Sequence, residues 1–189
     1  MPEVGQTFTL SLNAYGVTLI PHAPHEQGGT VNFIGSQSVR ILAGGADFVR
    51  YQLLNFTMTA EHPAYGRITL KLPDIVDTPD SIIRLTPDGE SLTDTLTVAP
   101  TMTLDKSGDQ EGPFPYEAAE PIVLTATIPS YPPPAQDINP DGSPTGGALY
   151  RSSGPARFTA PGSGGPDAVI YIELQDFNVN QGVMLPSAE

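Results

Sequence analysis

Between Ala46 and Pro73 the chain carries two extended segments and the turn that joins them. Phe48 to Thr59 has neither Gly nor Pro and is dense in aromatic and β-branched residues, which favour half-buried pleated surfaces. Side chains alternate between the two faces of a strand. Phe48, Arg50, Gln52, Leu54, Phe56 and Met58 therefore share one face; Val49, Tyr51, Leu53, Asn55, Thr57 and Thr59 share the other. Both faces are substantially apolar, which predicts a central strand covered on both sides. A helix of the same length is the rival reading. The run Phe56-Thr57-Met58-Thr59 argues against it, as does the adjoining strand Arg67 to Leu72, where Ile68, Leu70 and Leu72 alternate with Arg67, Thr69 and Lys71. Pro63 and Gly66 punctuate the connection.

The same alternation recurs along the chain. Gln6 to Asn13 reads as a strand, and Tyr15 to Ile20 as a second one after an Asn-Ala-Tyr-Gly turn. Thr30 to Ile34 and Ser38 to Leu42 read as a hairpin around Gly35-Ser36. Ser81 to Leu85 is a short strand. Leu92 to Leu104 alternates through Leu96, Val98 and Met102 until Pro100 interrupts it, as Pro does at an edge or bulge. Asp105 to Pro115 reads as an acidic loop, Pro121 to Ile128 as a strand, and Ala168 to Val179 as one long strand, with Val183 to Leu185 closing the sheet. Residues 129–166 form a Pro- and Gly-rich excursion, either wrapped over the body or disordered, with short strands at Ala148 to Arg151 and Ala156 to Ala160. The expected fold is all-β: an antiparallel barrel or two-sheet sandwich of nine to eleven strands in a single domain, residues 1–189.

Composition narrows the function. With 21 Pro and 19 Gly among 189 residues, long helices are disfavoured. Eight basic against 21 acidic residues give a net charge of −13, which argues against nucleic acid as a partner and against an anionic membrane surface. Cys is absent, so neither disulfides nor thiolate chemistry is available. No apolar run reaches the length of a membrane span and no signal-peptide pattern is visible, so the expected location is cytoplasmic, or secreted if a leader has been removed. With two Lys and no P-loop or dinucleotide fingerprint, nucleotide chemistry is not expected, and no cofactor is implied.

Three groups of residues could carry chemistry. Tyr51 and Asn55 on one strand, with Tyr171, Glu173 and Gln175 on another, would line a pocket if those faces point inward. Glu173, Tyr171 and Tyr51 are then the catalytic candidates, and Asn55, Phe56, Met58 and Gln175 the ligand-binding ones. A carboxyl such as Glu173 among apolar neighbours has its pKa raised and can act as a general acid or base. The second group is His22, His25 and His62, which could hold a divalent metal if their loops meet; solvated loop histidines are the commoner outcome. The third is Asp137-Ile-Asn139-Pro-Asp141-Gly142, spaced like the start of a calcium loop but with Ala148 at the position of the bidentate Glu; turns use the same residues.

Low Lys with high Ala, Gly and Pro suggests a GC-rich bacterial gene. In general terms the chain is similar to the small barrel cyclases of bacterial polyketide pathways, a likeness of class that no single motif carries. It implies a barrel that binds a mostly apolar small molecule and acts, if it is an enzyme, as a cofactor-independent cyclase or isomerase, shaping a reactive substrate rather than supplying charged machinery. Two other readings stay open. One is a secreted or surface β-sandwich adhesion module stabilised by calcium. The other is a structural capsid- or phage-type subunit, for which a homo-oligomer would be required.

Overall fold

A computed structural model of the chain describes residues 1–23, 26–76 and 79–184. They form fifteen strands and no helix: β1 (Thr7–Pro21), β2 (Gly29–Gly44), β3 (Phe48–His62), β4 (Gly66–Lys71), β5 (Ser81–Leu85), β6 (Leu92–Val98), β7 (Thr101–Ser107), β8 (Gln110–Ala118), β9 (Ile122–Ile128), β10 (Gln136–Ile138), β11 (Pro144–Gly146), β12 (Ala148–Ser152), β13 (Ala156–Thr159), β14 (Ile172–Gln175) and β15 (Val179–Val183). Thirteen make one antiparallel sheet, and β10 with β11 makes a separate hairpin. The count exceeds nine to eleven because the acidic stretch Asp105 to Pro115 is itself the hairpin β7–β8 and the excursion 129–166 contributes short strands of its own.

The pairing closes on itself twice. In a first ring, β1, β2, β3, β4, β7, β8, β13 and β14 follow one another, and β14 returns to β1 through Thr18–Pro21. In a second ring, β1, β15, β12, β9, β6 and β5 lead to β3 through Phe48–Tyr51, and β2 completes the circuit. Each ring has eight strands, and the rings share the three longest, β1 to β3. A closed eight-stranded ring leaves an interior just wide enough for side chains or one small ligand, and it has no free edge.

A strand that serves two rings has to bend, and the irregularities lie where it does. β1 is one strand, not two: the Asn-Ala-Tyr-Gly stretch is a register shift between Ala14 and Val17, with Gly16 at φ 74°. β2 is likewise continuous. Gly35 stands mid-strand and is not a turn residue; a Cβ there would lie 1.8 Å from the Thr57 carbonyl oxygen, so only Gly lets β2 approach β3 so closely. In β3 a bulge between Leu53 and Asn55 exchanges the faces. Val49 and Tyr51 point inward before it, Phe56, Met58 and Ala60 after it, while Arg50, Gln52, Leu54 and Asn55 are exposed. The strand therefore looked apolar on both faces because its inward face changes parity, not because it is covered twice.

Two further segments differ from expectation. The long strand Ala168 to Val179 is broken: Asp176 at φ 56° ends β14, and the chain crosses to the other ring through Phe177, fully buried edge-to-face against Phe33 at 5.9 Å between centroids. Pro100 separates β6 from β7, which lie in different rings. The excursion packs on the body. Tyr131 and Pro133 are buried, Val183 N–H donates to the Pro133 carbonyl, and the β10–β11 hairpin lies so close on β15 that a Cβ at Gly182 would stand 2.5 Å from the Gln136 nitrogen.

Candidate functional site

β6 reads Leu92-Thr-Asp94-Thr-Leu96-Thr-Val98, a strict alternation in which Leu92, Asp94, Leu96 and Val98 all point into the second ring. Asp94 thus stands in an apolar register and is 1% exposed. Its two oxygens are divided between two phenols: the Tyr51 hydroxyl donates to Oδ1 at 2.8 Å and the Tyr150 hydroxyl to Oδ2 at 2.7 Å. No Lys, Arg or His pairs with it among the described residues. Burial drives its pKa up to about 7, and the hydrogen bonds from Tyr150 and Tyr51 hold it from rising further. Burial first, and then the Asp94 charge, pushes the Tyr51, Tyr150 and Tyr131 phenols well above their ordinary value.

Tyr131 enters this ring from the connection between β9 and β10. Its ring meets Phe8 edge-on at 5.5 Å and Tyr51 at 6.0 Å, and its buried hydroxyl has no hydrogen-bond partner among the described residues. Where β3 leaves β5 to pair with β4, a cleft of about 230 Å³ reaches Tyr51, Leu53, Ser81 and Thr97 from the surface, with Val76 and Pro79 on its rim. That is less than the 300–1,000 Å³ of a site for a drug-sized ligand. Because Tyr131 leaves an unpaired buried hydroxyl, Tyr131→Phe should cost no stability and should raise the urea midpoint slightly, a gain of up to ~1 kcal/mol.

The end of the first ring at the β3–β4 and β7–β8 turns carries a different cluster. Tyr65 is buried, stacks on His62 at 4.9 Å and donates from its hydroxyl to Glu26 at 3.4 Å; burial and then Glu26 push it up to about 12. Glu26, Gln27, Ala64, Tyr65, Ser107 and Gly108 border a cleft of about 400 Å³.

The residues singled out in the sequence are divided among these places. Tyr51, Phe56 and Met58 face inward, Tyr51 onto Asp94. Asn55 is turned outward by the bulge next to it. Ile172 and Leu174 take the inward face of β14, so Tyr171, Glu173 and Gln175 lie on the outer face. Tyr171 packs near Tyr116 at 5.9 Å, and Glu173 accepts from Gln175 at 2.9 Å and lies 3.3 Å from His22 Nε2. His62 ends β3 with its Nδ1 accepting from Ala64 N–H, and His25 is outside the described residues. Asp137 lies in β10, and Asn139 and Asp141 lie in its turn to β11, where Asp141 accepts from the Ser143 amide and hydroxyl and is thereby held below the ordinary carboxylate value. Among the described residues no three His, Asp or Glu side chains gather around one point. Asp94, Tyr150 and Tyr131 were not singled out; an acid in the apolar register of Leu92 to Val98 is the signal that finds the first.

No family model matches the chain, and no curated protein matches it. Among solved structures it is similar to DynF, from the dynemicin biosynthesis pathway of Micromonospora chersina: 22% identity, a TM-score of 0.71, with 98% of this chain and 84% of that chain covered. The likeness establishes a shared fold. No helix among the described residues is long and apolar enough to cross a membrane.

Proposed function

We propose that this chain binds a mostly apolar small molecule in the second ring and, without a cofactor, isomerises or cyclises it within a natural-product pathway of polyketide type. The observation that carries this reading is the Asp94 carboxyl, buried among apolar side chains and gripped by two phenols. A group whose pKa is about 7 takes up and returns a proton near neutrality, as a general acid–base requires. The Tyr51 and Tyr150 hydroxyls steady the carboxylate when the proton leaves, and the Tyr131 hydroxyl is a donor for an oxygen that gains charge on the ligand. The closed rings supply the shape that orients a flexible chain for ring closure. The fold shared with a protein of the dynemicin biosynthesis pathway supports a small-molecule ligand of natural-product type. Tyr51 is the sequence candidate retained in this centre.

Equilibrium dialysis against a hydroxylated anthraquinone, a fused-ring polyketide probe, tests the reading. Saturable one-to-one binding is expected, weakened at least about tenfold by Asp94→Asn, since a hydrogen bond to a charged group contributes about 1.5–3 kcal/mol and ~1.4 kcal/mol is tenfold. Absence of saturable binding, or an Asp94→Asn variant that binds as wild type does, would overturn it.

A further inference from the structure

A second polar pair lies inside the second ring, away from Asp94. β2 directs Gln37 inward between Gly35 and Val39, and β15 directs Gln181 inward between Val179 and Val183. Their strand partners are Leu10 and Phe56 for Gln37, and Leu12 and Ala148 for Gln181, so both amides are set among apolar neighbours. Gln37 is 1% exposed and Gln181 0%. Gln37 Nε2 donates to Gln181 Oε1 at 2.8 Å, which leaves Gln37 Oε1 and Gln181 Nε2 without a partner among the described residues. Rotating both amides by 180° exchanges the atoms and still leaves one acceptor and one donor free. The buried amides of Asn13 and Asn180 do not serve here: both turn to the outer face and donate to the carbonyls of Gly142 and Gly146, and Asn13 Oδ1, also without a partner among the described residues, lies on that outer side.

Buried amide groups left unpaired are rare in folded chains, because each loses its water without replacement. The two free atoms here are complementary to one chemical edge: a hydroxyl or N–H beside a carbonyl. A primary carboxamide has that edge without charge, and an undissociated carboxylic acid has it too. Along β2, Gln37 is four residues from Ile41, the strand partner of Tyr51. At about 3.3 Å per residue the Gln pair is thus ~13 Å along the strand from the Asp94 end of the ring, with Val39 and its strand partner Phe8 between.

We infer that Gln37 and Gln181 form a receptor for the neutral carboxamide or carboxylic acid end of an elongated ligand whose other end reaches Asp94. This deepens the function proposed above and rests on it. The rival occupant is a water bridging the same two atoms.

Calorimetric titration with octanamide and with methyl octanoate separates the two. The amide offers donor and acceptor; the ester offers an acceptor alone. Octanamide is expected to bind at least about tenfold more tightly, and in Gln37→Leu/Gln181→Leu it falls to the level of the ester while the ester is unchanged within about twofold. Replacing both partners with apolar groups of similar shape leaves no orphan, so this variant keeps its fold. A second reading needs no variant: the glutamine side-chain amide ¹⁵N resonances of wild type shift with octanamide and not with the ester. Equal affinities in wild type, or a preference that survives the double substitution, assign the pair to water and overturn the inference. If the anthraquinone binds and the amide shows no preference, this inference alone fails; if no probe binds, the underlying reading fails with it.

Discussion

At pH 5 the Asp94→Ala variant is expected to be less stable than wild type by about 3 kcal/mol, and the gap should narrow by about 3 kcal/mol as the pH rises to 8. Two opposed effects set these figures. Removal of the carboxyl strands the Tyr51 and Tyr150 hydroxyls, each buried and each left without its acceptor, at roughly 1–3 kcal/mol apiece, with a small cavity in addition. Against this, the carboxyl is itself a burden once it ionises. Its folded pKa is about 7 against 3.8 in an unfolded chain. Between those values the unfolded chain has released the proton and the folded chain still holds it, so the folded state binds more protons and loses stability as the pH rises. The loss is absent below about pH 4 and complete above about pH 7, and it amounts to about 4 kcal/mol in full. Asp94→Asn separates the effects. The amide accepts from one tyrosine and donates to the other, and it cannot ionise. Wild type should therefore gain on Asp94→Asn as the pH is lowered from 7 to 5, read from urea midpoints at fixed ionic strength. A constant gap across that range would show that Asp94 is ionised and solvated.

Gly35→Ala is expected to cost about 3 kcal/mol or more, above the 1–3 kcal/mol of ordinary overpacking. The added Cβ would meet the Thr57 oxygen at 1.8 Å, the Thr57 carbonyl carbon at 2.7 Å and the Met58 Cα at 2.8 Å. All three are backbone atoms of β3, so no side-chain rotation relieves the clash, and the strands must part where both rings depend on them. Gly154→Ala is the control: nothing stands within 4 Å of a Cβ there, and its change should stay within about 0.5 kcal/mol. Equal urea midpoints for the two variants would mean that β2 and β3 are not held at that separation.

Local alternation was enough to read an all-β chain and the positions of most strands, because strict runs such as Ile68-Thr-Leu70 and Ile122-Val-Leu124 leave no other face to bury. What it misread lies where the long strands bend. Gly16 and Gly35 look like turn residues in one dimension, yet they serve a register shift and a close backbone approach within continuous strands. Ring closure was not legible, since β14 meets β1 and β5 meets β3 across sequence distances that no local pattern encodes. The inward faces of β3 were assigned by a period of two that the bulge at Leu54 breaks, which is why Tyr51 lies inside and Asn55 outside. Asp94 could have been found. Its neighbours Leu92, Leu96 and Val98 declare the buried register, and an acid in that register is either paired or functional. Tyr150 could not, because its place beside Asp94 depends on β12 pairing with β9 and β9 with β6, and Tyr131 could not, because it lies in a connection that has no strand register.

The most direct test is a pH titration of the Asp94 side-chain carboxyl by ¹³C NMR, the resonance assigned by its loss in Asp94→Asn. A midpoint near pH 7 is predicted, moving upward in Tyr150→Phe as one donor to the carboxylate is lost. A midpoint near 4, unmoved by Tyr150→Phe, would place that carboxyl in water and contradict a functional centre inside the second ring.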